Sequence, residues 1–410
     1  MKLLIYEHVS GGGFADQPIP AGVLSEGFGM LRTLISDFKA AGYSISTTLD
    51  SRISSLNPPI IADYVVPVFS SQETQANLCK LSEQADAVYI IAPETSGVLE
   101  SLVALVEQTG TASLNCPAGI VEKVSDKSGF YEHMRRLGLP LPKTMMFSVT
   151  DELKEITKAV RNSYSFPVIF KPSGGVSCCG VSVVRKEVQV AGAVEKIKLE
   201  SSSQHFLVQE LIEGAAVSAS LFSTGTEVLP VTLNSQNVMI GTPEAGSSYN
   251  GGVVPFDNPL RAEAFEAAKR IVKSVSGLRG YVGVDFVLTE REAVVIEVNP
   301  RLTTSYVGLR RVVNFNPAHA IVNAVLKRKL PEQRKSCGCT YFSKVETPNP
   351  TIDALEKTYR INEVVSPPFP VSDHDTASAL LVAYGATLNE ASSAFREAKM
   401  RVLSTIDRGK

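Results

Sequence analysis

The sequence predicts an α/β protein: a Rossmann-like, mostly parallel sheet over residues 1–115, two α+β subdomains over 116–205 and 206–330, and a small α+β extension over 335–410. Three observations predict it. Short apolar runs alternate with amphipathic helical stretches through the first 115 residues, the pattern that builds parallel sheets. Two later strand pairs flank polar turns, one around a glycine-bearing loop at 173–180 and one around a charged turn at 290–292. The length of 410 residues suits two to four compact units.

Each element has its own signature. KLLIY (2–6) is continuously apolar, as a strand buried on both faces should be. GVLSEGFGMLRTLISDFKAAG (22–42) has helical periodicity and closes on Gly42. SISTTLD, ADYVVPVF and ADAVYIIAP (85–93) are further strands, and LESLVALVEQTG (99–110) is a helix ending in glycine. Ligands of such a sheet gather at the carboxyl ends of its strands, so the loops SGGGFAD (10–16) and PETSG (93–97) are expected to edge a site. Beyond residue 116 come a helix around 127–137, a turn at GLPLP (138–142) and the first strand pair. Helices follow at 260–277 and 316–329, and PEQRKS (331–336) reads as a linker. Residues 335–410 add the strand-like CTYFSKVE, a turn at SPPFP and a helix over 388–405. The chain has neither internal repeat nor low-complexity tract.

Composition narrows the function. Hydrophobic residues make up 44% and charged residues 20%, ordinary values for a globular protein. Lysine plus arginine number 40 against 42 acids, for a net charge of −2, which argues against broad nucleic-acid or membrane-surface binding. The N-terminal apolar run stops at Glu7, too short for a secretory core, and no stretch approaches a membrane span. A cytoplasmic protein with reduced thiols is expected, its six cysteines lying at 79, 116, 178, 179, 337 and 339. Cys337 and Cys339 lack a second pair for zinc, and no two histidines have ligand spacing.

The most informative segment is GYVGVDFVLTEREAVVIEVNPR (280–301), a hairpin. With a three-residue loop, Glu290–Glu292, Asp285 lies opposite Glu297 and Asn299 shares the face of Glu297. A two- or four-residue loop would put the acids on opposite faces. Two carboxylates about 5 Å apart at Cβ repel by roughly 3 kcal/mol at an effective dielectric near 20. A hard divalent cation bound by oxygen would offset that repulsion. Arg301 follows, a permanent cation suited to a phosphoryl group. A solvated surface hairpin is the plainer reading, but the apolar flanks VGV, FVL and AVVI argue that both faces are buried.

FPVIFKPSGGVSCCGVSVV (166–184) runs a strand into Lys171, a loop of small residues through Gly180, and a return strand. Small residues let backbone N–H groups approach phosphate oxygens, and Lys171 adds a point charge; a plain hairpin turn gives the same pattern. No GK[ST] opens a helix, so this is not a P-loop. FLVQELIEG (206–214) is an apolar strand whose edge could bond adenine, or only a strand.

In order and spacing, Lys127, Lys171 with its loop, QELI, and Asp285 followed by Glu297-Val298-Asn299 resemble the ATP-grasp superfamily over roughly residues 1–330. The resemblance implies ATP gripped between two α+β subdomains, preceded by a pre-ATP-grasp domain. It implies Lys127 and Lys171 on the phosphates, with Gly174, Gly175, Ser177 and Gly180 in the loop that closes over them. Gln209, Glu210 and Ile212 would meet the nucleotide, and Asp285, Glu297 and Asn299 would hold Mg²⁺ or Mn²⁺. Lys171 and Arg301 would then be the catalytic cations. Ala216 departs from the pattern, since many members carry a ribose-binding acid there; Glu210 or Glu213 is the expected substitute. EHVSGGG (7–13), IAPETSG (91–97), SASLF (218–222), LNSQ (233–236) and YNGGVVP (249–255) further resemble the archaeal-type subgroup that includes the tyramine–glutamate ligase of methanofuran biosynthesis, and are candidate acceptor contacts.

The resemblance implies a carboxylate–amine ligase acting through an acyl-phosphate on small-molecule amino acids or amines, with a homodimer left open. Grasp-type kinases and a non-catalytic nucleotide binder are the rivals. A dinucleotide oxidoreductase is disfavoured because residues 10–16 lack G-x-G-x-x-G.

Overall fold

The computed structural model describes residues 1–174, 178–332, 336–372 and 375–408. Gly175 and Ser177, expected in the loop over the phosphates, therefore lie outside the described residues, as do 333–335 of the linker segment.

Three sheets organise the chain. β1 (Lys2–Glu7), β2 (Ser44–Asp50), β3 (Tyr64–Val68), β4 (Ala87–Ile91) and β5 (Ala112–Ser113) form a parallel sheet in the order β3-β2-β1-β4-β5. Leu3, Leu4, Ile5 and Tyr6 of β1 are all fully buried, which explains why this strand does not alternate. Strand order reverses between β1 and β4, so the chain leaves these neighbours in opposite directions and opens a crevice at their carboxyl ends.

β6 (Thr144–Ser148), β7 (Val168–Pro172), β8 (Ser182–Val184) and β9 (His205–Glu210) form an antiparallel sheet in the order β6-β9-β7-β8. Helices Leu153–Ser163 and Val190–Glu200 cover it through Ile156, Val160 and Ile197, which pack with Phe170 and Phe206.

The third sheet has eight strands: β10 (Ala215–Thr224), β11 (Val228–Met239), β12 (Ser248–Val254), β13 (Arg279–Leu288), β14 (Ala293–Asn299), β15 (Cys339–Pro348), β16 (Val364–Ser366) and β17 (Thr376–Gly385). Their order is β14-β13-β10-β11-β12-β15-β17-β16. The C-terminal strands thus continue this sheet, with Phe342 of β15 opposite Gly252 of β12. Helix Ala21–Ala40 of the N-terminal unit packs on them: Phe28 meets Phe369 edge-to-face at 4.9 Å between centroids, and Arg32 donates to the Val364 carbonyl at 2.7 Å. Among the described residues no helix is long and apolar enough to cross a membrane.

Candidate active site

The β13–β14 hairpin sets the site. Leu288 pairs with Ala293, and Thr289 N–H donates to the Glu292 carbonyl at 3.0 Å, so the turn is tighter than the three-residue loop expected from sequence. On its own this turn would put Glu297 on the wrong face. Ile296 corrects it: Phe286 pairs with Val295 but Asp285 pairs with Glu297, so Ile296 is the extra residue of a β-bulge. The two acids face one another as expected, by a different device. Asn299 follows two residues on and its Nδ2 donates to Asp285 Oδ2 at 3.1 Å.

Around this row stand three cations. Lys127, at the start of helix Lys127–Arg136, places Nζ 2.9 Å from Glu297 Oε2. Lys171, near the end of β7, is buried to 8% exposure and lines the same cavity. Arg301 lies two residues past β14 and is clamped by Glu94, whose Oε2 accepts from both Nε and Nη2 at 2.9 Å. Glu94 comes from the loop after β4, so the first sheet delivers a carboxylate to the crevice at its switch point.

The electrostatics follow from these distances. Burial and then Glu297 push the Asp285 carboxyl up to about 6. Burial would also raise Glu297, but Lys127, Lys171 and Arg301 more than offset it and hold that group well below the carboxylate range. Burial and the neighbouring Lys127 push Lys171 down to about 8, against the pull of Glu297 and Asp285.

These groups line one cavity of about 390 Å³. One end is apolar, with Ile169, Leu207, Val287 and Ile296. Strand pairing stops at Glu210, so the backbone of Leu211 and Ile212 runs along this end outside the ladder. Gln209 lines it with its Nε2 donating to Thr144 Oγ1 at 2.7 Å, and Glu210 lines it while accepting from Lys143 N–H at 2.6 Å. Ala216 also lines it; Glu213 is exposed and does not. The other end holds Glu7, Glu26, Met30 and Thr304. Glu26 accepts from Lys344 Nζ of β15 at 2.7 Å and from Thr304 Oγ1 at 2.8 Å.

Gly174 lines the cavity, held by Ser203 Oγ at 3.0 Å. Gly180 does not. It turns the chain at φ +70°, its N–H donates to Glu200, and a Cβ there would lie 2.8 Å from Pro172. Cys178 and Cys179 from the same loop do line the cavity. The glycines at 11–13 and 251–252 serve packing rather than ligand approach: a Cβ on Gly252 would lie 1.9 Å from the Ser235 carbonyl and one on Gly11 2.3 Å from that of Glu7. Each candidate acceptor segment reaches the cavity, among others through Glu7, Glu94, Ser218, Gln236 and Tyr249. Glu94 was expected only as part of the 93–97 loop that edges the site; its clamp on Arg301 was not, because the two lie 207 positions apart.

Among the described residues no three His, Cys, Asp or Glu side chains cluster for a metal. The donor set here is two carboxylates and an amide, hard oxygen ligands that suit a divalent cation completing its shell from phosphates. Asp285 Oδ1 is buried without a partner, the state expected of a waiting ligand atom.

Residues 124–305 match the model of an ATP-grasp domain and residues 43–121 that of a pre ATP-grasp 3 domain. The chain is similar to the tyramine–L-glutamate ligase of Methanocaldococcus fervens, 27% identical over 317 residues that cover 75% of this chain and 89% of the relative. An ATP-grasp superfamily protein from Archaeoglobus fulgidus has a similar structure, with TM-score 0.62 and 24% identity over 93% of this chain and 99% of that one. So does the biotin carboxylase domain dimer of a Hydrogenobacter thermophilus 2-oxoglutarate carboxylase, solved with MgADP, with TM-score 0.70 and 15% identity over 97% of this chain and 89% of that one.

Proposed function

We propose that this chain, with its matches to an ATP-grasp domain over 124–305 and a pre ATP-grasp 3 domain over 43–121, is an ATP-dependent ligase joining a carboxylate to an amine. The observation that carries this reading is the meeting of Asp285, Glu297 and Asn299 with Lys127, Lys171 and Arg301 in one cavity that has an apolar end. Asp285, Glu297 and Asn299 would hold Mg²⁺ or Mn²⁺, which neutralises phosphate charge when bound.

The chain's own part is positioning and electrostatics. Lys127 exchanges Glu297 for a phosphate oxygen, and Lys171 meets the charge that develops as a carboxylate oxygen bonds to the γ-phosphorus and ADP leaves. Arg301, fixed by Glu94, steadies the acyl-phosphate. The amine nitrogen then bonds to the acyl carbon, phosphate departs and the nitrogen gives up a proton. Substrates enter at the end lined by Glu7, Glu26 and Thr304, away from the apolar end that suits adenine. Glutamate as the carboxylate and tyramine as the amine are the finer assignment, supported by the M. fervens relative. A homodimer belongs to the same reading.

The test is ADP release in the presence of glutamate across a panel of amines and amino acids. Release should depend on one amine class, and Glu297→Gln should lose most turnover while keeping a cooperative thermal transition. Amine-independent release would turn the reading toward a kinase, and full activity in E297Q would overturn the metal assignment.

A further inference from the structure

Within the site read above, one buried polar group has no assigned task. Ser218 of β10 is 1% exposed and lines the cavity, its hydroxyl standing beside the Asp285 carboxyl without a well-formed hydrogen bond. It sits in a single row crossing four adjacent strands: Glu297 opposite Asp285, Asp285 opposite Ser218, and Ser218 opposite Asn234. Directly opposed residues in antiparallel strands have Cβ atoms about 5 Å apart, so a turn of the Ser218 side chain brings its hydroxyl to either neighbour.

Both neighbours offer an oxygen that is also buried and unpartnered, Asp285 Oδ1 and Asn234 Oδ1. The single hydroxyl proton favours the ionised acceptor, because charge-assisted hydrogen bonds are the stronger ones. Asn234 is meanwhile fixed through its Nδ2, which donates to Ser220 Oγ at 2.9 Å and Ser305 Oγ at 3.2 Å. Asp285 Oδ2 already accepts from Asn299 Nδ2. A donor on Oδ1 would complete the orientation of the carboxylate, and each carboxylate oxygen keeps a second lone pair for a cation.

We propose that Ser218 is a positioning residue for the metal site, its hydroxyl donating to Asp285 Oδ1 so that Asp285 presents a fixed lone pair to the divalent ion. This rests on the reading of Asp285, Glu297 and Asn299 as the metal ligands. Partners behind a metal ligand of this kind typically set affinity by roughly 10–100-fold.

The experiment is a Mn²⁺ titration of the full chain at saturating ADP, followed by water-proton relaxation. Ser218→Ala should weaken Mn²⁺ about tenfold or more while leaving metal-free ADP affinity and the thermal transition close to wild type. Ser218→Thr, which keeps the hydroxyl, should restore most of the loss. Wild-type Mn²⁺ affinity in S218A would overturn the proposal, and so would an S218T protein as weak as S218A. Absence of any protein-dependent relaxation in the wild type would instead remove the metal-site reading itself, so the two failures are distinct.

Discussion

Lys171 is held between opposing pressures, and that makes its charge sensitive to pH. Burial and Lys127 disfavour the ammonium, Glu297 and Asp285 favour it, and the balance leaves its pKa at about 8. An unfolded lysine titrates near 10.4. Between those values the unfolded chain binds the proton and the folded chain does not, so this group makes the fold more stable as pH rises through the window. Nucleotide binding has the opposite sign. A phosphate oxygen wants the ammonium, so affinity for an adenine nucleotide should fall above about pH 8, approaching tenfold per unit. Calorimetric titration of ADP at increasing pH, paired with thermal melts, should show the two slopes diverging. Lys171→Met should remove both. An alkaline limb that persists in K171M would assign the loss to another group.

At the scale of the element, the bulge in β14 explains how one short strand serves two chemistries. In a regular strand, successive side chains point to opposite faces, so without the bulge Glu297 would not face Asp285. With Ile296 bulged, Glu297 faces Asp285, and Ile296 lines the same cavity as an apolar neighbour where the proposed reading places the nucleotide. Ile296→Ala should therefore weaken adenine-nucleotide affinity roughly tenfold, the scale of losing part of a buried aliphatic side chain. Mn²⁺ binding at saturating ADP should stay near wild type, because Glu297 and its partners are untouched. A variant that loses thermal stability but keeps nucleotide affinity would place Ile296 in the fold rather than in the site.

The same hairpin marks how far the sequence could be read. The facing of Asp285 and Glu297 follows from their spacing, because the sum of turn and bulge equals the expected loop. The bulge itself leaves no local trace. Continuous apolar runs announced the buried strands β1 and β4, whereas helix Ser71–Glu83 buries only Thr74, Leu78, Leu81 and Ser82, too few apolar residues to stand out in the sequence. Lys127, Lys171 and Gln209 were legible through order along the chain. The pairing of Glu94 with Arg301 and the packing of Gly12, Gly251 and Gly252 were not, because a partner or neighbour distant in sequence decides each of them.

For the whole molecule, the question is what the C-terminal strands contribute. They do not stand apart: β15 pairs along β12, and β17 and β16 carry the sheet to its far edge. Their inner surface covers helix Ala21–Ala40, where Gly29 is so close that a Cβ would lie 2.8 Å from Leu380 Cδ2. Phe28, Phe369, Leu380 and Phe342 belong to one core that also holds Leu3, Ile5 and Tyr306. A chain ending at Leu330 would therefore expose the backbone edge of β12 and strip the apolar side of a helix that packs on the first sheet. Unpaired edges and exposed apolar faces favour aggregation. The truncated chain would also lose Lys344, the cation that fixes Glu26 at the substrate end. It is expected to be poorly soluble and to lack a single cooperative melting transition, and supplying residues 331–410 in trans should not fully restore either. A truncated protein that melts cooperatively within a few degrees of the intact chain would show that the first two sheets and β10–β14 form a self-sufficient core, with the C-terminal strands added to it.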